Sequence, residues 1–302
     1  MVQMNGIRIG MLIAVLMGSN LNKDMRSTFF PRVEIPSTEL RFLSSVATGQ
    51  AYDLYVHLPK SYRETNDRYP VIYLFDGQWD FPLVTGISIS QYLDGYIPET
   101  IVVGIAWHNC GGDCQMHRNR DFLPTVSPDT PNSGGAPLFV EFLKDELIPF
   151  IESSYRIIRN DRVLMGSSAG ASFGVYAIFR EPELFNGAVF TSPAFTYDDG
   201  IIFEFEQKFA AEHHDLPVRM FLAAGGAGAD ITIGLAGAME DMVAVLKTRE
   251  YPNLDLRSMI IEGVGHSGSK AEGFTRGLQY VFSDSTESES LGGMCEENTW
   301  SE

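Results

Sequence analysis

The segment Gly166–Gly170, which reads Gly-Ser-Ser-Ala-Gly, contains the residue types of a catalytic serine turn. It follows an apolar run, Arg162–Met165, and precedes small and apolar residues with helical spacing. A serine in such a strand-to-helix turn lies at the helix N-terminus, where the helix dipole favours an anionic intermediate. Its neighbours must be small so that the strand and the helix can approach. This context predicts that Ser168 is a nucleophile.

A second Gly-x-Ser-x-Gly match, Gly170–Gly174, overlaps the first. Its serine, Ser172, falls one turn into the predicted helix, where no strained turn would expose the hydroxyl. We therefore interpret Ser172 as an ordinary serine on a helix face, and Ser168 remains the candidate nucleophile.

A nucleophilic serine needs a base, and the base needs an acid that orients it. After a turn of this kind, the acid and then a histidine are expected on loops that follow later strands. His266 lies in a glycine-rich segment directly after the last apolar run, and we predict that it is the base. His213 and His214 fall in a polar, helix-like stretch and are predicted to be solvated.

The predicted acid is Asp230, which ends a glycine-rich loop after the preceding apolar run. Its alternative role is to cap the helix predicted to begin at the next residue. Four other carboxylates remain candidates for the acid: Asp198, Asp199, Glu240 and Asp241.

An ester or amide carbonyl that is attacked by serine also needs two backbone N–H donors for its oxyanion. The residue after the nucleophile, Ala169, is expected to supply one of them. The second is expected from the loop Asp76–Trp79, where Gly77 allows close backbone approach, and we assign it to Gln78. The alternative reading of this loop is a plain Asp-Gly turn.

The elements that must hold these residues alternate between strand-like and helix-like segments. Glu39–Ala47 and Ala51–Leu58 alternate polar and apolar residues and predict an antiparallel entry hairpin. Short apolar runs follow and predict parallel strands that are covered on both faces; they begin at Val71, Ile101, Arg162, Gly187, Arg219 and Arg257. Leu138–Tyr155 has the clearest helical period. The predicted fold is therefore a three-layer α/β sandwich with a mostly parallel sheet, and the catalytic loops are expected at the carboxyl ends of its strands.

The composition excludes several classes of protein. The 302 residues are 44% hydrophobic, which is enough for a large core, and 39 acidic residues against 22 basic ones give a net charge of −17. Such a surface repels phosphate backbones and anionic lipids, so we predict a small-molecule partner, no nucleic acid and no stable membrane insertion.

The two ends of the chain differ from its middle. Residues 9–17 form a short apolar run that has the length of a signal-peptide core, so residues 1–27 are interpreted as an export signal or flexible segment. The alternative is a short buried segment. Residues 283–302 are acidic and serine-rich and are predicted to be a disordered tail, which leaves residues 28–282 as the folded domain. The expected location is secreted or periplasmic, with a cytoplasmic location as the alternative.

The segment His108–His117 contains two cysteines and two histidines in ten residues. A disulfide between Cys110 and Cys114 is the expected state in an exported protein, with free thiols as an alternative. The third possibility is a zinc site completed by the histidine at each end of the segment.

Two arginines follow on the long loop Ala106–Pro137, which is expected to lie over the mouth of the site. Arg118 and Arg120 are candidates for holding a substrate carboxylate or catecholate. The alternative is that they form salt bridges between the loop and the acidic body.

Several segments resemble the putative-esterase family of α/β-hydrolases, in the family's order and over residues 38–282. They are YLFDGQWD, IPETIVVGI, RNRDFLPT, GGAPLFVEFLKDELIPFIESSY, RVLMGSSAGA, ELFNGAVFTSPAF and EGVGHSGS. The family includes enterochelin-type siderophore esterases, feruloyl and acetyl-xylan esterases, S-formylglutathione hydrolases and mycolyltransferases.

The resemblance implies an α/β-hydrolase fold with Ser168 as nucleophile and His266 as base. The Asp-Gly-Gln-Trp segment is similar to the oxyanion loop of the siderophore-esterase branch, which makes Trp79 a candidate substrate contact. The family's acid commonly lies in a Gly-x-x-Glu sequence, whereas the corresponding loop here has no glutamate, so Asp230 is a substitution. Some siderophore-branch members use a Ser-His pair. The serine mechanism of the family implies no metal and no cofactor.

The predicted function is a serine carboxylic-ester hydrolase that acts through an acyl-enzyme. The resemblance implies an ester with a bulky or aromatic acyl group, of the siderophore-lactone or hydroxycinnamate type. An acyltransferase that uses the same residues is one alternative, and a catalytically inactive α/β-hydrolase that serves as a binding module is another.

Overall fold

The computed structural model describes residues 33–111, 114–128 and 130–283 of the chain. The predicted export segment at residues 9–17 and the acidic tail after Ser283 lie outside these residues. The chain divides into a unit that ends at Pro36 and a unit that begins at Ser37. The described residues of the first unit, 33–36, form no helix or strand.

Eight strands in the described part of the chain form one sheet, in the order β1-β2-β4-β3-β5-β6-β7-β8. Their bounds are β1 (Thr38–Ser44), β2 (Ala51–His57), β3 (Tyr69–Leu74), β4 (Ile101–Trp107), β5 (Ile157–Ser167), β6 (Gly187–Thr191), β7 (Arg219–Gly225) and β8 (Asp255–Ile261). The β1–β2 and β2–β4 pairs are antiparallel and the other pairs are parallel. The predicted mostly parallel sheet with an antiparallel entry hairpin is therefore confirmed.

Helices cover both faces of the sheet. Their bounds are α1 (Gly77–Leu93), α2 (Gln115–Phe122), α3 (Ala136–Glu141), α4 (Ile148–Ser154), α5 (Ala169–Arg180), α6 (Ile201–Glu212), α7 (Ala229–Thr232), α8 (Leu235–Thr248) and α9 (Ser269–Phe282). A Cβ on Gly174 of α5 would overlap Phe190 of β6, and a Cβ on Gly273 of α9 would lie 2.6 Å from Thr191. Because Phe190 and Thr191 are successive strand residues, α5 and α9 lie on opposite faces, as a three-layer sandwich requires. Within the described residues, no helix combines the length and the apolar character that are needed to cross a bilayer.

An aromatic cluster supports the carboxyl end of the sheet from the α5 side. The rings of Phe75, Phe122, Phe139 and Phe173 are fully or almost fully buried, and their centroids lie 5.1–6.2 Å apart. They come from the end of β3, from α2, from α3 and from α5, so one packed cluster holds four elements together. Removing one such ring typically costs about 3–5 kcal/mol of stability.

The helix predicted over Leu138–Tyr155 contains a π-helical stretch. The segment Phe142–Leu147 separates α3 from α4, and Pro149 lies in the first turn of α4. Proline has no backbone N–H, so Pro149 cannot donate the hydrogen bond that would continue the α-helical ladder from the preceding turn. The hydrophobic period predicts the helix but not this change of winding.

Candidate active site

The predicted nucleophile lies in a strained turn between β5 and α5. Ser168 has φ 59° and ψ −125°, and its N–H donates to the carbonyl of Thr191 at 2.9 Å. A Cβ on Gly166 would lie 2.9 Å from the carbonyl carbon of Gly170, and a Cβ on Gly170 would lie 3.2 Å from a carboxylate oxygen of Asp76. Glycine is therefore required at position 166 by close packing around the turn, whereas a Cβ at position 170 would make a tight contact with the Asp76 carboxylate.

The overlapping match has a different environment. Ser172 lies in the first turns of α5, and its N–H donates to the carbonyl of Ser168 at 3.0 Å. Its Oγ is buried and has no hydrogen-bond partner among the described residues. These contacts are those of a serine packed on a helix.

The predicted base and the predicted acid are in contact. His266 Nδ1 lies 2.7 Å from Asp230 Oδ1. Asp230 follows β7 in the short helix α7 and is fully buried, whereas the His266 side chain is 31% exposed. With its Nδ1–H donated to a carboxylate, the imidazole presents Nε2 as the nitrogen that accepts a proton. This is the geometry in which an acid orients a base.

The Asp230 carboxylate has two further donors. Its Oδ2 accepts the backbone N–H of Gly225 at 2.6 Å and the hydroxyl of Ser192 at 2.5 Å. Ser192 follows β6 with φ 45°, and its N–H donates to the carbonyl of Ala223 on β7. The carboxylate is thus held at the ends of two neighbouring strands. Sequence reasoning missed Ser192, because only its position after a predicted strand marks it.

The predicted nucleophile and the predicted base are not hydrogen-bonded to each other in the structure. Within the described residues, no hydrogen bond connects the Ser168 hydroxyl with His266. Ser168 follows β5 and His266 follows β8, and both lie at the carboxyl edge of the parallel strands. Catalytic hydrogen bonds are commonly longer in a protein without substrate than in its complex with substrate.

The two predicted oxyanion donors lie in the first turns of helices. Ala169 begins α5, and Gln78 is the second residue of α1. Backbone N–H groups at these positions have no acceptor within their helix and can serve a ligand oxygen. A Cβ on Gly77 would lie 2.7 Å from the carbonyl carbon of Gly104, so a glycine is needed for α1 to begin this close to β4.

Arg118 has internal partners. Its Nε and Nη2 donate to the Asp76 carboxylate over 2.8–3.1 Å, and Nη2 also donates to the carbonyl of Ser167 at 3.0 Å. Arg118 is 8% exposed and Asp76 is 2% exposed. Burial raises the pKa of the Asp76 carboxyl, and the Arg118 guanidinium opposes that rise. These contacts favour the alternative in which Arg118 forms an internal salt bridge.

The two other predicted substrate contacts lie in different places. Arg120 forms two bonds to the carboxylate of Asp121, at 2.7 and 2.8 Å. It also lines a cavity of about 360 Å³ beside the β1–β2 turn, and Ser168 is not among the residues that line this cavity. Trp79 lies in the first turn of α1, next to Gln78, and is 50% exposed.

A lysine that sequence reasoning missed connects α9, which follows the predicted base His266, with α1, which contains the predicted donor Gln78. Lys270 lies in the first turn of α9, four residues after His266, and its Nζ donates to both carboxylate oxygens of Asp80 at 2.9 Å. Asp80 is buried in the first turn of α1. Lys270 and Asp80 are 190 residues apart in the chain, and no local sequence pattern indicates that they form an ion pair.

The two cysteines before α2 are bonded to each other. Cys110 and Cys114 form a disulfide with a Cα–Cα distance of 5.0 Å, which is the first of the three predicted alternatives. Within residues 33–111, 114–128 and 130–283, no group of three or more His, Cys, Asp or Glu side chains has the arrangement of a metal site. Cys295 lies outside the described residues.

The chain is similar to known esterases in sequence and in structure. A family model described as Putative esterase matches residues 45–218. The ferri-bacillibactin esterase BesA of Bacillus subtilis (strain 168) is 30% identical over 207 residues, which cover 63% of this chain and 71% of that protein. The siderophore enterobactin esterase of Emericella nidulans is 24% identical over 178 residues, which cover 52% of this chain and 58% of that protein.

The crystal structure of the BES protein from Bacillus cereus has the same fold. The two structures superpose with a TM-score of 0.75 at 22% identity, over 84% of this chain and 98% of that chain. Ser168 lies inside the range of the family model, whereas Asp230 and His266 follow its end at residue 218. The contact between these two residues is therefore an observation of the structure alone.

Proposed function

This chain belongs to the Putative esterase family, has an α/β-hydrolase fold and is a carboxylic-ester hydrolase, and we propose that Ser168, His266 and Asp230 act as its catalytic triad. The observation that carries the proposal is the 2.7 Å contact between His266 Nδ1 and a fully buried Asp230 carboxylate. A carboxylate in this position fixes the tautomer of the histidine and stabilises the imidazolium that forms during the reaction.

The proposed reaction has two steps, acylation of Ser168 and hydrolysis of the acyl-enzyme. In the first, Ser168 Oγ bonds to the ester carbonyl carbon while its proton passes to His266 Nε2. The carbonyl oxygen becomes an oxyanion that accepts the N–H groups of Ala169 and Gln78. The tetrahedral intermediate then breaks its bond to the leaving oxygen, which takes the proton from His266 and departs as an alcohol.

The second step repeats this chemistry with water. His266 Nε2 takes one proton of the water as its oxygen bonds to the acyl carbon. The bond to Ser168 Oγ then breaks, and the proton on His266 returns to that oxygen. The products are a carboxylic acid and the free enzyme, and no cofactor takes part in either step.

We propose a siderophore-type ester with a bulky or aromatic acyl group as the substrate. The names of two relatives support this class, since one is a ferri-bacillibactin esterase and the other a siderophore enterobactin esterase. Within this chain, the half-exposed indole of Trp79 adjoins the proposed donor Gln78. An aromatic ring in that position can stack on an aryl group of the substrate.

The test is the rate of hydrolysis over a panel of esters. The panel contains short and long aryl esters, a feruloyl ester, and a catecholate trilactone with and without ferric iron. We expect turnover with the trilactone preferred, and its loss in Ser168→Ala. Ser172→Ala is the matched control, because it removes the other motif serine, and it should retain activity. Activity that survives in Ser168→Ala, or that is lost in Ser172→Ala, would contradict the assignment of the nucleophile.

Two further measurements separate the alternatives. A fluorophosphonate should add to one serine of the wild type, and mass spectrometry should locate the adduct on Ser168. A folded protein that neither reacts with the probe nor turns over any ester would instead be a binding module. Product analysis with added alcohol distinguishes the hydrolase from an acyltransferase, because a transferase forms the new ester in preference to the acid.

A further inference from the structure

One guanidinium connects the two segments that carry the proposed oxyanion donors. Arg118 Nε and Nη2 bind the carboxylate of Asp76, and Nη2 also binds the carbonyl of Ser167. Asp76 lies two residues before Gln78, and Ser167 lies two residues before Ala169. The side chain of Arg118 thus binds both donor segments. In each segment it contacts the residue that lies two positions before the proposed donor.

Asp76 determines where α1 begins. Its backbone is left-handed, with φ 55° and ψ 38°, and its carbonyl accepts the N–H groups of Trp79 and Asp80 at 2.9 and 3.0 Å. The Gln78 amide lies in the chain between Asp76 and these two donors, so its direction follows from the conformation of Asp76. A non-glycine residue keeps a left-handed backbone only where its surroundings hold it there. The paired guanidinium is such a support, because it fixes the Asp76 side chain.

The same carboxylate also contacts the nucleophile turn. One of its oxygens lies 3.2 Å from the position that a Cβ on Gly170 would occupy, directly beside the first turn of α5. Burial raises the pKa of Asp76, and the guanidinium of Arg118 is the counter-charge that favours the ionised form. Without Arg118, the buried Asp76 carboxylate would lie beside α5 with no salt-bridge partner.

We propose that Arg118 is a positioning residue for the oxyanion hole, which holds the Gln78 and Ala169 amides at a fixed separation through Asp76 and the Ser167 carbonyl. The proposal rests on the proposed function, since it concerns the same serine site. It differs from the expectation that Arg118 binds a substrate anion, because a positioning residue acts on every ester whatever its charge. The planar fork of arginine suits the role, because it binds a carboxylate with two nitrogens and a carbonyl at the same time.

The test compares Arg118→Lys and Arg118→Met with wild type on two esters, a neutral aryl butyrate and an analogue that carries a carboxylate. We expect kcat to fall about 10²- to 10³-fold in Arg118→Met, which is the loss typical of removing one oxyanion donor. The fall should be equal on both esters, and KM should change less than threefold. Arg118→Lys should recover only part of the loss, because an ammonium lacks the second nitrogen of the fork.

Arg162→Met is the matched control for the loss of a buried arginine. Arg162 Nη2 binds the Glu152 carboxylate at 2.7 Å and its Nη1 binds the Leu184 carbonyl at 3.1 Å, so it also joins a carboxylate to a carbonyl, although with one nitrogen on the carboxylate where Arg118 uses two. It lies earlier on the strand β5 that ends at Ser167. Thermal unfolding should show comparable destabilisation in the two methionine variants, whereas kcat should stay within about twofold of wild type in Arg162→Met.

Phenylboronic acid provides a readout that a purely structural role would not change. It forms a tetrahedral adduct with a nucleophilic serine and resembles the transition state, so its affinity should fall in proportion to kcat in the Arg118 variants. Asp76→Asn should produce a similar loss, and Asp76→Asn combined with Arg118→Met should be no worse than either alone, because both act through one contact. This second variant keeps the test decisive if Arg118→Met does not fold.

Three results would overturn the proposal. They are an unchanged kcat in Arg118→Met, a loss confined to KM of the carboxylate ester, and a loss of equal size in Arg162→Met. Ser168→Ala in the same series separates this failure from that of the proposed function. If wild-type turnover does not depend on Ser168, the proposed function itself is wrong. If turnover depends on Ser168 but not on Arg118, only the positioning role is wrong.

Discussion

The acid of the proposed triad illustrates how much a single residue depends on its surroundings. Asp230 lies in the segment where the resemblance implied a glutamate, and an aspartate side chain is one methylene shorter. Its carboxylate nevertheless contacts His266 Nδ1, Ser192 Oγ and the Gly225 amide at 2.5–2.7 Å. Three hydrogen-bond partners hold the buried carboxylate at the edge of the sheet, where it orients the imidazole.

Asp230→Asn tests whether this carboxylate is needed for turnover. An amide in the same place removes the charge that stabilises the imidazolium, so we expect kcat to fall about 10²- to 10⁴-fold with little change in KM. Ser192→Ala removes one hydrogen bond to this charged carboxylate, worth about 1.5–3 kcal/mol, and should lower kcat by about 10- to 10²-fold. Asp241→Asn, at an exposed carboxylate, is the control in the same rate assay. Near-wild-type activity in Asp230→Asn would mean that the enzyme works with a Ser-His pair.

His57 gives a pH-dependent prediction that is independent of the site. Burial lowers its pKa from the usual 6.5, and its Nδ1 has no hydrogen-bond partner among the described residues. The unfolded chain therefore binds a proton at His57 more readily than the folded chain does. His57 therefore contributes to the free energy of unfolding above pH 6.5, where it is neutral in both states. This contribution is lost as the pH falls below 6.5, because the unfolded chain is protonated first.

The measurement is the free energy of unfolding by denaturant between pH 7.5 and pH 5.0. His57→Gln has no titrating group at this position, and we expect the wild type to lose more stability than this variant, by at most about 1.4 kcal/mol per pH unit. Parallel curves for the two proteins would show that His57 titrates alike in the folded and unfolded states.

At the scale of elements, glycines set how closely the helices approach the sheet. A Cβ on Gly174 of α5 would lie 2.2 Å from a ring carbon of Phe190, and a Cβ on Gly277 of α9 would lie 2.2 Å from a methyl of Val189. Both helices therefore contact β6 through glycine, one from each face. This close packing places α5, with the proposed nucleophile Ser168 at its N-terminus, directly against the strand that precedes Ser192.

Gly174→Ala should therefore destabilise the protein although alanine is the better helix former. Its methyl group overlaps a buried ring, and such overpacking costs about 1–3 kcal/mol. Gly237→Ala in α8 is the matched control, because its Cβ would meet nothing within 4 Å, and it should stabilise by about 0.4–1 kcal/mol. Thermal unfolding of both variants checks the pair, and a stabilised Gly174→Ala would contradict the packing described here.

Much of the fold was predictable because its signals are local. Runs such as Ile101–Ile105 have the continuous hydrophobicity of strands covered on both faces, and the observed strands β3, β4 and β6 are buried along their whole length. The turn that contains Ser168 was predictable for the same reason, since the strand, the turn and the helix are adjacent in the chain.

The remaining features depend on contacts between distant segments. Arg118 and Asp76 are 42 residues apart, and nothing near either residue indicates that they pair. From the sequence, an arginine on a predicted long loop is as compatible with binding a substrate anion at the surface as with forming a buried salt bridge. Ser192 can be identified as a partner of Asp230 only from the structure, in which the end of β6 lies beside Asp230. Spacing therefore predicts which strand ends meet, but not which side chains complete the hydrogen bonds there.

For the whole molecule, the dominant quantity is its net charge of −17. Several buried or half-buried carboxylates have cationic partners, as in the Asp76–Arg118, Asp80–Lys270 and Glu206–Arg249 pairs. With 39 acidic and 22 basic residues in the chain, such pairs leave an excess of acidic groups without a cation. The excess carboxylates of one molecule therefore repel one another, and the molecule as a whole repels anionic ligands.

Added salt should act on both kinds of repulsion. The Debye length falls from about 30 Å at 0.01 M to about 8 Å at 0.15 M ionic strength, so repulsion between distant carboxylates is largely screened over this range. We expect the melting temperature to rise with NaCl over this interval, because the folded state brings the carboxylates closer together than the unfolded state does. A melting temperature that falls with salt would mean that the screened ion pairs outweigh the repulsion.

The same screening predicts a change in substrate binding that depends on the charge of the ester. KM for an aryl ester that carries a carboxylate should decrease as NaCl is raised, whereas KM for its neutral analogue should stay constant and serves as the control. Because this effect comes from the net charge of −17 and not from one contact, it should persist at equal size in Arg118→Lys, which keeps the charge. A KM for the anionic ester that rises with salt would instead reveal a local cationic site that binds it.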